Sequence, residues 1–244
     1  MIAKHTLTGA TQYSDKRIFQ SCSALVLRCN DTNIPEDTKI EVTLNDGAGG
    51  QKLIPNMNVF DLAEIAVQRF PVGHFANNEL YIPICDFGCL NLGEDKHLVV
   101  SLSGLDAAKT YELVAYAIGE GRKSDRPIVW SYNTVAVGLN KKTITNLPGA
   151  ILALPTSKAL QEMVIVYKAE SGKPPVTERV DLNMLYIEQR LQNGVIAVDS
   201  LTLDSSPSFS YIAWLTRGMQ DFSYLELWLD ETGFQYIIAE NLNI

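Results

Sequence analysis

Residues 38–70 read TKIEVTLNDGAGGQKLIPNMNVFDLAEIAVQRF. At the start of this stretch Ile40, Val42 and Leu44 alternate with Lys39, Glu41 and Thr43, which places the apolar residues on one face and the polar residues on the other. A strand with one wet face is predicted. Asn45, Asp46 and Gly47 tolerate positive φ, and Gly49 and Gly50 prolong the loop, so a turn follows. From Asn58 the period lengthens: Val59, Leu62, Ala63, Ala66 and Phe70 fall on one helical stripe, with Asp61, Glu64, Gln68 and Arg69 elsewhere. This predicts a short amphipathic helix. Asn58 suits its N-cap, Asp61 adds negative charge to its first turn, and Pro71 forbids its continuation.

A fainter copy of the same order occupies residues 161–193. Met163, Val164, Ile165, Val166 and Tyr167 form a strongly β-favouring run, and Gly172, Pro174 and Pro175 break it. Asp181 is then placed to cap a helix through Leu182, Leu185 and Tyr186 to Leu191, with Asn193 and Gly194 as its stop. The offset between copies is about 120 residues, half the chain, which points to a duplicated β-domain.

Outward from these two units the chain continues as short strands. The polar residues 1–17 suit an arm or a first edge strand, and residues 23–28 a strand. Residues 79–85 read as a strand whose Pro83 argues for an edge or a bulge. Residues 97–102, 111–117 and 129–137 follow, the last closing the first half. Polar and basic residues at 138–146, including Lys141 and Lys142, read as a solvated linker, and the boundary is drawn as 1–140 and 141–244. The second half offers 150–154, 195–198, 200–203, 210–215, 224–229 and 234–239. Each half thus carries several short strands and one helix, the pattern of a sandwich or jelly roll.

Composition narrows the function. A chain of 244 residues with 46% hydrophobic and 20% charged content can build one large β-domain or two ordinary ones. No apolar run approaches the roughly 18 residues needed to span a bilayer, and the N-terminus lacks the apolar centre of a signal peptide, so a soluble, non-exported chain is expected. The formal charge of −8, from 28 acidic and 20 basic residues, repels phosphate backbones and excludes nucleic acid as a direct ligand.

Catalytic signals are weak. Cys22 and Cys29 flank a strand about 20 Å long, too far apart for a mutual disulfide. Cys85 and Cys89 have C-x3-C spacing, but His5, His74 and His97 are scattered and do not complete a zinc set. Reduced, buried cysteines and intracellular assembly are expected. A thiol nucleophile would need Cys85 or Cys89 beside His74 or His97, and no local motif supports that pairing. The acidic pairs Glu79 with Asp86 and Asp230 with Glu231 read as solvated strand rims rather than glycosidase carboxylates. The loop at 45–50 lacks both the Gly-Lys-Ser/Thr of a phosphate loop and the spaced acids of a calcium loop. Tyr111, Tyr116, Trp130, Tyr132, Trp214 and Trp228 could line a sugar or peptide site, although rings on strands belong by default to cores or subunit contacts. No catalytic, cofactor-binding or metal-ligating residue is assigned, and no cofactor is expected.

The segments KIEVTLNDG, NVFDLAEIAVQRF and TITNLPGAILALP, with the second strand-helix unit, give an order that resembles the double jelly-roll major capsid proteins of icosahedral, membrane-containing bacteriophages, of the corticovirus-like and related small lipid-containing kinds. The resemblance covers most of the chain as a pattern, without a diagnostic motif. It implies an all-β fold of two consecutive jelly rolls with one short helix in each. It also implies a homotrimer whose six barrels form a pseudo-hexagonal capsomer, with neighbouring capsomers, minor capsid proteins and an internal viral membrane as partners. The protein would then be non-enzymatic and reside in the virion, assembled in the host cytoplasm. The rival reading is a receptor- or carbohydrate-binding β-sandwich, a spike or adhesin. Residues 104–117 look like late strands of a fibronectin type III domain, but a helix after Asn58 has no place there.

Overall fold

The computed structural model describes residues 3–30, 32–70, 75–86, 88–118, 122–145, 147, 149–155, 160–169, 173–181, 210–215, 222–230 and 233–241. In the first half, the strands nest like a long antiparallel hairpin. Strand β1 (Ala3–Thr8) pairs with β10 (Thr110–Tyr116), and β2 (Gln12–Ile18) pairs with β9 (His97–Ser103). Inside these, β3 (Ala24–Cys29) pairs with β7 (Glu79–Pro83), and β4 (Lys39–Asn45) with β5 (Gly50–Asn58). Rolling the hairpin sets β10 against β3 and β9 against β4, which yields two sheets ordered β1-β10-β3-β7 and β2-β9-β4-β5. The two-residue β6 (Phe75–Ala76) extends the first sheet, and β8 (Cys89–Leu90) pairs in parallel with β11 (Lys123–Ser124).

Alternation in sequence decides which face turns inward. Ile40, Val42 and Leu44 lie opposite Leu102, Val100 and Leu98, and all six are buried. Leu25, Leu27 and Cys29 lie opposite Ala115, Leu113 and Tyr111 in the other sheet, again all buried. Each large aliphatic side chain removed from water contributes about 1.5–3 kcal/mol, so a one-residue slip, which would turn a whole set outward, is strongly disfavoured.

The second half repeats this topology. Its strands are β12 (Val129–Val135), β13 (Lys141–Thr145), β14 (Ile151–Pro155), β15 (Leu160–Tyr167), β16 (Thr177–Asp181), β17 (Tyr211–Leu215), β18 (Phe222–Leu229) and β19 (Phe234–Glu240). They form sheets ordered β12-β19-β14-β17 and β13-β18-β15-β16. Ranked along the chain within each half, β6, β8 and β11 aside, both halves read 1-8-3-6 and 2-7-4-5. That order is a jelly roll, and the chain contains two. The second core is built from Leu152, Leu154, Met163, Ile165, Leu225, Leu227 and Ile238 among others. The compact units are 1–131 with 239–243, and 132–238.

The helix expected after Asn58 is present as α1 (Val59–Arg69). The Asn58 side-chain oxygen accepts from Phe60 N at 2.8 Å, and its amide donates to Glu36 O at 2.7 Å, so the cap ties the helix to the β3–β4 loop. The helix stops at Phe70, where the backbone turns extended, and the buried Leu62, Ala63, Ile65 and Ala66 seat it in the unit, where it packs on β7. The matching helix expected from Asp181 to Leu191, and the strands expected at 195–198 and 200–203, lie outside the described residues.

Three expectations are corrected. Gly50, read as the end of the loop, instead opens β5 through residues 51–58, to which no element was assigned, because Leu53, Ile54 and Met57 are buried even though Pro55 and the positive φ of Asn56 break the alternation. Residues 141–145, read as linker, form β13, which pairs with β18 and buries Ile144. Residues 129–137, read as closing the first half, contain β12, whose sheet neighbour is β19. The polar N-terminus forms β1 and β2, both at sheet edges, as one of its two readings expected. Strand β6 meets β7 at Leu80 and Glu79, so among the described residues Pro83 has no strand on that side. No helix among the described residues is long and apolar enough to cross a membrane.

Candidate functional site

All four cysteines are buried, and none is in a disulfide. Cys22, Cys85 and Cys89 gather beside Ser23, beneath the segment that leaves β10. Ser23 Oγ lies 3.3 Å from Cys89 Sγ and accepts from Ile118 N at 2.8 Å, while Cys85 Sγ faces Arg126 O at 3.8 Å. Burial, reinforced by Cys89 and Cys85, pushes the Cys22 thiol up to about 12. Such a thiol is not a nucleophile at neutral pH. His97 packs its ring on Phe19 at 5.1 Å, and His74 lies outside the described residues. Among the described residues no group of three or more His, Cys, Asp or Glu side chains is arranged to hold a metal ion. The thiols instead line a strap, pinned by Cys89 N to Arg122 O at 2.8 Å and Asn91 N to Ser124 O at 2.8 Å.

Of the carboxylate candidates, Glu79 is committed to an ion pair. Glu79 pairs with Arg28 directly across the β3–β7 ladder, and Arg28 stands opposite Glu112, which pairs with Lys4. The result is a row of alternating charge across four strands. The hydrogen-bonded Lys4 ammonium holds the Glu112 carboxyl below its ordinary range. Asp230 is exposed at the end of β18, and Glu231 lies outside the described residues. At 45–50 the turn binds itself: Asp46 Oδ1 accepts from Gly49 N at 2.9 Å and Ala48 N at 3.1 Å, and Asn45 Oδ1 accepts from Gly47 N at 3.0 Å.

The aromatic candidates do not form one platform. Tyr111 is fully buried, with its hydroxyl accepting from Asp106 N at 3.0 Å, and Trp130 is buried in β12. Tyr116 lies under the Arg28 guanidinium at 5.6 Å, Tyr132 is half-buried, and Trp214 packs on the second core. Of the six, Trp228 is the exposed one, and Lys141 Nζ sits 5.4 Å above its ring while also pairing with Glu226 at 2.9 Å.

Two surface features among the described residues lie on loops joining the jelly-roll strands. In the first unit, the β1–β2, β3–β4 and β9–β10 connections converge on a groove of about 610 Å³. Pro35 gives it an apolar edge over the buried Ile34 and Leu105, and its charged lining is Glu36, Asp37 and Asp106 against the single Lys109. The loops are tied by Leu105 N to Thr11 O at 3.0 Å, Thr38 Oγ1 to Gly104 O at 3.1 Å and Lys109 Nζ to Asn33 O at 3.0 Å. Gly104 has φ +73°, and a Cβ there would lie 2.6 Å from Asp37 O, so glycine is required for the loops to approach. In the second unit, the β12–β13 corner exposes Val137 at 79% and Leu139 at 45% around Gly138, whose φ is +86°. It is braced by Leu229 N to Asn140 O at 3.0 Å and by Gly233, where a Cβ would meet Val135 O at 2.9 Å. Sequence reading missed this corner because it treated 138–146 as a linker. The available signal was the pair of aliphatic residues flanking a turn glycine, which a solvated linker does not need.

No protein-family model matches the sequence, and no curated protein sequence matches it. The fold is similar to that of the major capsid protein P2 from Bacteriophage PM2, with 9% identity and a TM-score of 0.51 over 97% of this chain and 96% of that one. It is also similar to a chain in the atomic structure of Sulfolobus Turreted Icosahedral Virus, with 10% identity and a TM-score of 0.55 over 97% of this chain and 90% of that one.

Proposed function

We propose that the chain is a structural virion protein, the major capsid protein of an icosahedral shell, and that it acts as a building block rather than as a catalyst. The observation that carries this reading is the same jelly-roll strand order completed twice in one chain, matched nearly end to end by the PM2 major capsid protein. Buried thiols, ion-paired carboxylates and a self-bonded glycine loop fit a protein whose chemistry is contact. Three chains, each with two similar barrels, give six near-equivalent units around one axis, so a homotrimer can fill hexagonal positions while keeping closed symmetry. The shell so tiled would stand over an internal membrane, with minor capsid proteins at its joints, and assemble in the host cytoplasm.

Electron microscopy of the purified, concentrated chain tests the reading. Discrete units of hexagonal outline, or curved sheets of them, are expected. Isolated particles of single-chain size under every condition that concentrates the protein, together with saturable binding to a glycan or receptor, would instead favour a spike or adhesin.

A further inference from the structure

We propose that the apolar β12–β13 corner of one copy docks into the acidic loop groove on the first jelly roll of a neighbouring copy, a contact that rests on the shell reading above and names its surfaces. Val137 and Leu139 are held out by a glycine turn braced from two sides, so the corner presents a preformed aliphatic knob. The equivalent β1–β2 corner of the first unit is Gly9, Ala10 and Thr11, which shows that the fold itself requires no large apolar residue at this place. An exposed aliphatic pair that the fold does not need marks a contact surface.

The groove can take the knob by size, and its three carboxylates outnumber its one cation, Lys109, whose Nζ is already held by Asn33 O. Its volume of about 610 Å³ admits two aliphatic side chains, and the half-buried Pro35 offers them an apolar contact, with Ile34 and Leu105 buried beneath it. Glu36 and Asp37 at its edge have no ion-pair partner among the described residues, and Asp106 adds a third carboxylate. Beyond the corner come Lys141 and Lys142, a basic doublet in a chain of net charge −8, and Lys142 has no ion-pair partner among the described residues. Opposite charges on two otherwise acidic copies steer the knob to this groove and away from the rest of the surface. The contact is heterologous, with different patches on the two copies, which is the kind that builds rings and lattices.

Mixed cross-linking tests it. One preparation carries Val137→Cys and the other Glu36→Cys, and the two are combined and oxidised with copper phenanthroline; the native cysteines are buried. A cross-linked dimer several-fold more abundant in the mixture than in either preparation alone is expected. Val137→Asp with Leu139→Asp should raise the concentration needed for association at least tenfold while leaving the circular dichroism spectrum and thermal midpoint unchanged. Glu36→Lys with Asp37→Lys should weaken association as well, and pairing it with Lys142→Glu should restore part of it. If the wild-type chain assembles, but the mixture gives no excess cross-link and the apolar variant assembles at the wild-type concentration, the docking is wrong and the shell reading stands. A wild-type chain that never associates overturns both.

Discussion

At the corner between its first and second strands, the first jelly roll turns with Gly9, Ala10 and Thr11, whereas the second turns with Ala136, Val137, Gly138, Leu139 and Asn140. Both corners join strands of the same rank in the same sheet order, and both contain a glycine at positive φ. The first exposes only small or polar groups, while the second holds two large aliphatic residues in water. Since one strand order tolerates either solution, folding does not explain the aliphatic pair. What differs between the units at equivalent places is therefore the best guide to what each does at its surface, and what is shared reports on stability.

The largest expected effects concern what is shared. Ile40 in β4 and Ile165 in β15 occupy the fourth strand of their units, and both are buried. Truncating either to alanine should cost about 2–5 kcal/mol, read from urea unfolding of each variant. A cost below about 1 kcal/mol at one site only would mean that the two cores are not equivalent.

Glycine substitutions come next and should separate the two loop ends. Gly104→Ala forces both a left-handed backbone and a collision with Asp37 O, so a loss of about 3 kcal/mol is expected. Gly138→Ala has the same backbone problem but no atom within 4 Å of the new Cβ, so about 1 kcal/mol is expected. Equal losses in thermal unfolding would show that the close approach at Gly104 does not matter.

Capping offers a smaller test. Asn58→Ala removes the hydrogen bond to Phe60 N and should cost about 1 kcal/mol. Asp181 ends β16 as Asn58 ends β5. If the helix expected after it is formed, Asp181→Ala should cost a similar amount, and helical circular dichroism should fall in both variants. No change with Asp181→Ala would break the parallel.

The smallest effect is electrostatic. Because Lys4 holds Glu112 below the ordinary glutamate range, this carboxylate stabilises the fold above its unfolded-state pKa, and the contribution disappears as pH falls through the lower folded-state value. Glu112→Gln should lower the urea midpoint slightly at pH 7 and leave it unchanged once the wild-type group is protonated. The reverse order would contradict the pairing with Lys4.

Much of this was legible where local pattern and tertiary role agree. The alternation of Ile40, Val42 and Leu44 located β4, the run from Met163 to Tyr167 located its counterpart β15, and Asn58 with Pro71 bracketed α1. Strand β5 was not legible, because Leu53 and Ile54 are both buried in succession and Pro55 and Asn56 bend the chain, so the period of two is lost. Strand β13 was hidden because it is an edge whose first two residues are lysines, a composition that protects edges and imitates a linker. The place of β12 depends on β19, about a hundred residues later, and no local signal carries such a pairing. The groove is assembled from three separate loops, which only the rolled hairpin brings together.

Native mass spectrometry of the purified chain over a wide range of concentration and salt addresses the shell reading most directly. With a chain mass of 27.0 kDa, a discrete species of about 80 kDa that persists on dilution is expected for a trimeric capsomer. A single species at the mass of one chain, up to the highest soluble concentration, would contradict it.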